Sequence, residues 1–246
     1  MIKSEARKEY NKISNLLMLI ILPVGLYLVL YLFNRNTTLS YKEFKNITFT
    51  YCIFISIILL IKSASNYIYE VSHGTIKLLV KIKHNRINII LSKMFIILLI
   101  FIILMLNILM FSIMFSLING NIITNIYYYI GDFIINCIPL LFIVYLSFFL
   151  SILTSSITFS IISSTLLLVM GGTLFENILK LKITIVKYTF LPYLDFIVLR
   201  NEEYLDYILG TYNVKLNINI AVVVLTIYIG ILFIISCLYF KKKNIN

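Results

Sequence analysis

Charge is scarce in this chain: only 13% of its 246 residues are Asp, Glu, Lys or Arg, roughly half the share found in soluble domains. Set beside a hydrophobic content of 61%, that scarcity excludes a water-soluble enzyme and predicts an integral membrane protein. Further absences narrow the chemistry. The eight glycines are scattered and no G-x-x-x-x-G-K-[ST] run occurs, so the chain has no phosphate-cradling loop and any ATP must be hydrolysed elsewhere. Histidine is limited to His73 and His84, both in one polar passage, and an intramembrane metalloprotease would need such ligands inside its apolar runs. No ionisable residue stands near the middle of an apolar run, where a proton-coupled carrier places one. Cys52, Cys137 and Cys237 lie in apolar runs without paired spacing or a neighbouring His, which leaves neither a readable disulfide framework nor a metal site. Without repeats or Pro- and Gly/Ser-rich linkers, residues 1–246 read as one membrane domain.

What is present is a series of long apolar runs bordered by charge. A run of about 20 apolar residues crosses the hydrocarbon as a helix, and a Lys or Asp at its centre costs about 3 kcal/mol. Reading between the charges predicts six spans, Ile13–Phe33, Asn46–Ile61, Met94–Ile118, Phe133–Leu153, Ile157–Phe175 and Ile218–Phe240. The first run is longer than a signal-peptide core and lacks a small-residue cleavage pattern, so it is expected to stay as a span. A pI near 9.5 would suggest a nucleic-acid partner in a soluble chain. With both termini in the cytoplasm, however, the inner side carries 13 of the 21 basic residues and three of the ten acids. That is the positive-inside asymmetry, and it accounts for the basicity without nucleic acid.

Several passages carry local signals. "MIKSEARKEYNK" before the first span reads either as a surface helix or as a solvated tail. Pro23 and Gly25 predict a kink in the first span. Asn107, the strongly polar residue of the third, should face other helices. "TSS", Thr154–Ser156, joins the fourth and fifth spans as a tight hairpin. The small residues that follow, Ser160, Ser163, Ser164, Gly171 and Gly172, suit close helix packing more than a substrate path. Between Glu176 and Asn217 we expect two short helical elements on or dipping into the outer leaflet, the alternative being an ordinary loop. The second runs from a cap at Asn201 to a stop at Gly210, and Tyr188, Tyr193, Tyr204, Tyr207 and Tyr212 mark a headgroup boundary.

The most regular charge lies in "YEVSHGTIKLLVKIKHNRINIILSK", Tyr69–Lys93. Burying the seven charges between Lys62 and Lys93 in lipid would cost roughly 20 kcal/mol, so the passage is expected in the cytoplasm. Ile68, Val71, Thr75, Leu78 and Ile82 recur at helical spacing, with Glu70, Gly74, Lys77, Lys81 and His84 on the opposite stripe, a pattern that predicts an amphipathic helix. Such a helix can rest on anionic headgroups.

Glu70, Gly74-Thr75, Leu78-Leu79, Arg86 and Ser92-Lys93 also resemble the segment between the second and third spans of the type-2 ABC transporter permeases. The likeness is strongest to the small six-span permeases of bacteriocin and lantibiotic self-immunity and of bacitracin-resistance exporters. It extends to the length, the span count, the tight hairpin and the long segment before the last span. "KIKHNR" stands where the family often has Pro before the Arg. The resemblance implies an all-α permease domain in a bacterial cytoplasmic membrane. It further implies a coupling helix at Glu70, His73, Gly74, Thr75, Lys77, Leu78, Lys81 and Arg86 that docks on a separate ABC ATPase subunit, present in two copies. A second permease chain, identical or paralogous, would complete the exporter, with ATP and Mg held by the ATPase and no cofactor here. The expected cargo is hydrophobic or amphipathic, such as a peptide antibiotic. The competing expectation is a non-transporting scaffold whose basic loop binds lipid or a partner.

Overall fold

A computed structural model describes residues 13–36, 39–73, 75, 86–119, 122–180, 188–194, 202–212 and 216–242. Among them the regular structure is entirely helical: α1 (Ile13–Asn36), α2 (Tyr41–Ser72), α3 (Arg86–Ile118), α4 (Ile126–Thr154), α5 (Ile157–Lys180), a 3-10 turn at Leu191–Tyr193, α6 (Glu202–Tyr212) and α7 (Ile218–Lys242). Five of these, α2 to α5 and α7, are long and apolar enough to cross a membrane, and a shorter apolar segment, Ile20–Arg35, lies in α1. The expected second and third spans are the cores of much longer helices, of 32 and 33 residues. At 1.5 Å per residue each is about 50 Å long, against about 30 Å of hydrocarbon.

Short polar residues start the helices where the sequence turns from loop to apolar run. Ser40 and Glu43 form a reciprocal capping box on α2: the Ser40 backbone N–H donates to Glu43 Oε2 at 2.9 Å and the Glu43 N–H to Ser40 Oγ at 3.4 Å. Asn125 Oδ1 accepts the Tyr127 and Tyr128 N–H groups of α4, and Asn217 Oδ1 accepts the Asn219 N–H of α7. Ser156 Oγ accepts the Phe159 N–H of α5. Each satisfies donors that the first helical turn leaves without a backbone acceptor. The hairpin expected at "TSS" is present: α4 ends at Thr154, and Ser155 turns the chain with φ 52°. α1 is continuous through Pro23. α6 runs past Gly210 to Tyr212, so that glycine does not close it. A helix tolerates an interior Gly at a cost of about 1 kcal/mol, and the following Thr211-Tyr212 extends the pattern. The proposed cap Asn201 and the N-terminal stretch 1–12 lie outside the described residues.

The chain divides into two compact units, residues 1–59 with 91–137 and residues 60–90 with 138–246. The first is packed around rings. Phe115 of α3 stacks on Phe44 of α2 at 6.2 Å and meets Tyr27 of α1 edge-on at 5.4 Å, while Phe44 lies 5.9 Å from Tyr129 of α4. Phe44, Phe115 and Tyr129 are fully buried, and the Tyr129 hydroxyl donates to Ser112 Oγ at 2.9 Å. A phenol can sit in an apolar interior because that bond satisfies its proton. Asn107 is half-buried on α3.

In the second unit small residues bring α2 against α4. Ser63 Oγ donates to the Val144 carbonyl at 3.2 Å and Ser147 Oγ to the Leu60 carbonyl at 3.3 Å. These are side chain to backbone bonds across two helices that only a short side chain permits. Gly171 of α5 serves the same end, since a Cβ there would lie 2.6 Å from Leu194 Cδ1. The connection before α7 does not stay at the helix ends. Phe190 packs on Phe142 of α4 at 5.0 Å and on Tyr228 of α7 at 5.4 Å. Gly171 and Tyr228 each lie roughly 15 Å inside the helix ends that adjoin this connection. Irregular backbone at that depth is stable only when protein covers it, and Pro192, Tyr193 and Leu194 are buried.

Candidate functional site

The charged passage is built differently from its expected pattern. α2 runs on to Ser72 and α3 begins at Arg86, so both flanks of the presumed loop are continuations of spans. The buried stripe at the end of α2 is Leu60, Ser63, Ala64, Tyr67 and Glu70, at intervals of three, one, three and three, one face of an α-helix. The apolar stripe read from the sequence, Ile68, Val71 and Thr75, is half-buried to exposed. Its phase was set by hydropathy alone. The packing follows the small residues Ser63 and Ala64, which let a neighbouring backbone approach and carry the next turns inward with them.

Glu70 therefore is not on a solvated face: it is 3% exposed, one turn beyond Tyr67, whose ring meets Phe148 of α4 at 6.5 Å and Phe240 of α7 at 6.0 Å. His73 is exposed and its ring stacks on Tyr69 at 4.0 Å, with Nδ1 2.8 Å from the Tyr69 carbonyl oxygen. The Thr75 hydroxyl donates to the Glu70 carbonyl at 3.1 Å. The Tyr69 carbonyl also accepts the His73 backbone N–H at 3.1 Å and the Ser72 hydroxyl at 2.9 Å, so side chains and backbone together cover the last carbonyls of α2. Arg86 opens α3. Gly74, Lys77, Leu78 and Lys81 lie outside the described residues. Ser92 and Lys93 of α3 are buried, each 1% exposed. The chemistry available at the end of α2 is a carboxylate withdrawn from water beside an exposed imidazole and a fixed helix terminus. No group of three or more His, Cys, Asp or Glu among the described residues is arranged to hold a metal ion.

A second polar feature escaped the sequence reading. In the first unit Lys45 of α2 forms an ion pair with Asp132 of α4. The two side chains are 19% and 31% exposed, and Lys45 Nζ also lies 5.8 Å from the centre of the Phe49 ring. Asn136 Nδ2 donates to the Asp132 carbonyl at 2.6 Å. Nearby elements are tied in the same manner: Asn34 Nδ2 of α1 donates to Asn119 Oδ1 just beyond α3 at 3.2 Å. The signal was available, because Lys45 and Asp132 each stand one residue before the start of an expected span. Opposite charges at matching borders are natural partners once the two helices are neighbours.

Helices of this length and apolarity define a multi-pass, all-helical membrane protein. Within that class, residues 13–246 match the model of the DUF2705 family, described as a protein of unknown function, and the chain belongs to that family. No curated protein matches the chain.

Proposed function

We propose that this chain is the membrane-spanning permease subunit of an ATP-driven exporter of the ABC type, with six spans and both termini in the cytoplasm of a bacterial cell. The observation that carries the reading is the length of α2 and α3, 32 and 33 residues. Each exceeds the hydrocarbon by roughly 20 Å, and they flank the basic passage around Lys77, Lys81 and Lys83. A rigid extension of a span is what a force applied outside the membrane needs in order to tilt that span. Glu70 then acts as a positioning residue, buried in the extended end of α2, while His73 to Arg86 supply the docking surface for an ATPase subunit. Two such subunits and a second permease chain would complete the assembly. The spans hold few fixed charges and many aromatic rings, which suits a hydrophobic or amphipathic peptide better than an ion or sugar.

The test is purification in mild detergent with identification of every stoichiometric partner, followed by assay of ATP hydrolysis. We expect a nucleotide-hydrolysing subunit to co-purify. Glu70→Ala should leave membrane abundance unchanged while lowering cargo-stimulated hydrolysis at least about tenfold. Function of the isolated chain in vesicles without such a subunit would overturn the reading. Lys77, Lys81, Lys83 and Arg86 favour one second reading, a scaffold that holds anionic lipid. In that case neutralising them would abolish binding to anionic vesicles and Glu70→Ala would change nothing.

A further inference from the structure

The ion pair in the first unit caps a layered seam. Lys45 and Asp132 lie at its mouth; Phe49, one turn further along α2, packs at 6.2 Å on Phe133, the residue that follows Asp132 on α4, with both rings buried. Below them on the same face of α2 lies Cys52, 2% exposed, two turns from Lys45. Lys45 belongs to both upper layers, since it pairs with Asp132 and also stands over the Phe49 ring. Asn136, from the next turn of α4, is 8% exposed and holds the backbone carbonyl of Asp132, which fixes the carboxylate's position from behind.

A pair this open to solvent is a weak fastener. Ion pairs partly open to water change an equilibrium by about fivefold or less, and the tilted ring pair beneath adds a ring–ring contribution of similar scale on top of the apolar area it buries. Phe44 of α2 and Tyr129 of α4, fully buried and 5.9 Å apart, hold the two helices together at this end, so the opening is a swing of side chains on the Lys45–Asp132 flank and not a separation of the helices. We propose that the α2–α4 seam is a closure device: Lys45 and Asp132 latch its mouth, the Phe49–Phe133 pair seals it, and release of the latch admits water-soluble molecules as far as Cys52. The proposal concerns this unit alone and holds whether or not an ATPase drives the protein.

The natural cysteine supplies the readout. In a background with Cys137→Ala and Cys237→Ala, Cys52 is left as the single thiol and its reaction with a membrane-impermeant maleimide is timed in intact cells and in inverted vesicles. We expect slow labelling of the parent from either side. Asp132→Asn and Lys45→Gln should each raise the rate about two- to fivefold from one side only, the side on which the mouth opens. Asp132→Glu and Lys45→Arg, which keep the charges, should label close to the parent rate. The exchanged pair Lys45→Asp with Asp132→Lys should bring protection back. Parent-rate labelling in the neutral variants, or an exchanged pair that labels as fast as they do, overturns the proposal. Should the neutral variants fail to accumulate, the exchanged pair decides alone: accumulation with a protected Cys52 supports the latch, and failure to accumulate overturns it.

Discussion

A methyl group added at Gly25 would lie 2.5 Å from the hydroxyl oxygen of Tyr51. That hydroxyl crosses from α2 to α1 and donates to the Leu22 carbonyl at 2.7 Å, so the missing side chain is what lets one helix bond to the backbone of the other. Gly25→Ala should destabilise the protein by about 1–3 kcal/mol, the usual cost of overpacking. Adding Tyr51→Phe should recover part of that loss, because the clashing oxygen leaves together with the bond. Thermal unfolding in detergent of the two single variants and the double variant checks this, and strictly additive losses would refute it. At this scale the sequence was readable where a residue type implied one role. Gly25 stood out as an interruption of an apolar run, though its partner could not be read, because Tyr51 is separated from it by a whole span. Glu70 stands out in the sequence as the odd acid in a basic passage, but its burial is hidden there: a carboxylate's hydropathy says solvent, and only the packing around Ser63 and Ala64 turns it inward.

Among elements, the turn between α4 and α5 offers the cleanest test. Ser155 occupies the left-handed region at φ 52°, which costs a side-chain-bearing residue roughly 1 kcal/mol or more and a glycine nothing. Ser155→Gly should therefore leave the unfolding midpoint unchanged or slightly raised, whereas Ser155→Val, branched at Cβ, should lower stability by about 1–2 kcal/mol. Gly171 makes a second case on α5. The atom facing its absent Cβ is the far end of Leu194, so Gly171→Ala should cost about 1 kcal/mol, and Leu194→Ala in the same chain should relieve the crowding. If the two losses simply add, the contact is not the cause. Five of the apolar runs are legible because insertion costs are set residue by residue, and the "TSS" hairpin follows from length alone. The ends of α2 and α3 were not, since a helix continues past the hydrocarbon as long as its backbone bonds are made, and no change of hydropathy marks that stop. The inward path of Phe190 was equally hidden: nothing local distinguishes an aromatic residue at a headgroup boundary from one packed between Phe142 and Tyr228.

For the whole molecule, burial is uneven among the long helices. Of the most apolar stretch, 61% is buried in α4, but only 17% in α5 and 22% in α7, so the last two leave most of that stretch uncovered. In a membrane that surface meets acyl chains, which suits side chains such as Ile162, Val169, Ile227 and Ile234. The distribution of Lys and Arg supports a placement of both termini on the cytoplasmic side. A single cysteine introduced at Lys242 should then react with an impermeant reagent only after the inner face is opened, and one at Tyr127, 88% exposed, should react in intact cells. The same accessibility at both positions would reverse or abolish the proposed topology.

The overhang of α2 has a consequence of distance. From Ile61, where its apolar run ends, to Ser72 the helix advances about 16 Å, twice the length over which salt at physiological strength damps a surface potential, about 8 Å. A soluble protein gripping the tip beyond Ser72 would stand clear of the electrical influence of the phospholipids below. Its affinity should then hardly vary as phosphatidylglycerol replaces neutral lipid in reconstituted vesicles, whereas a contact lying flat on the bilayer would strengthen with every increment.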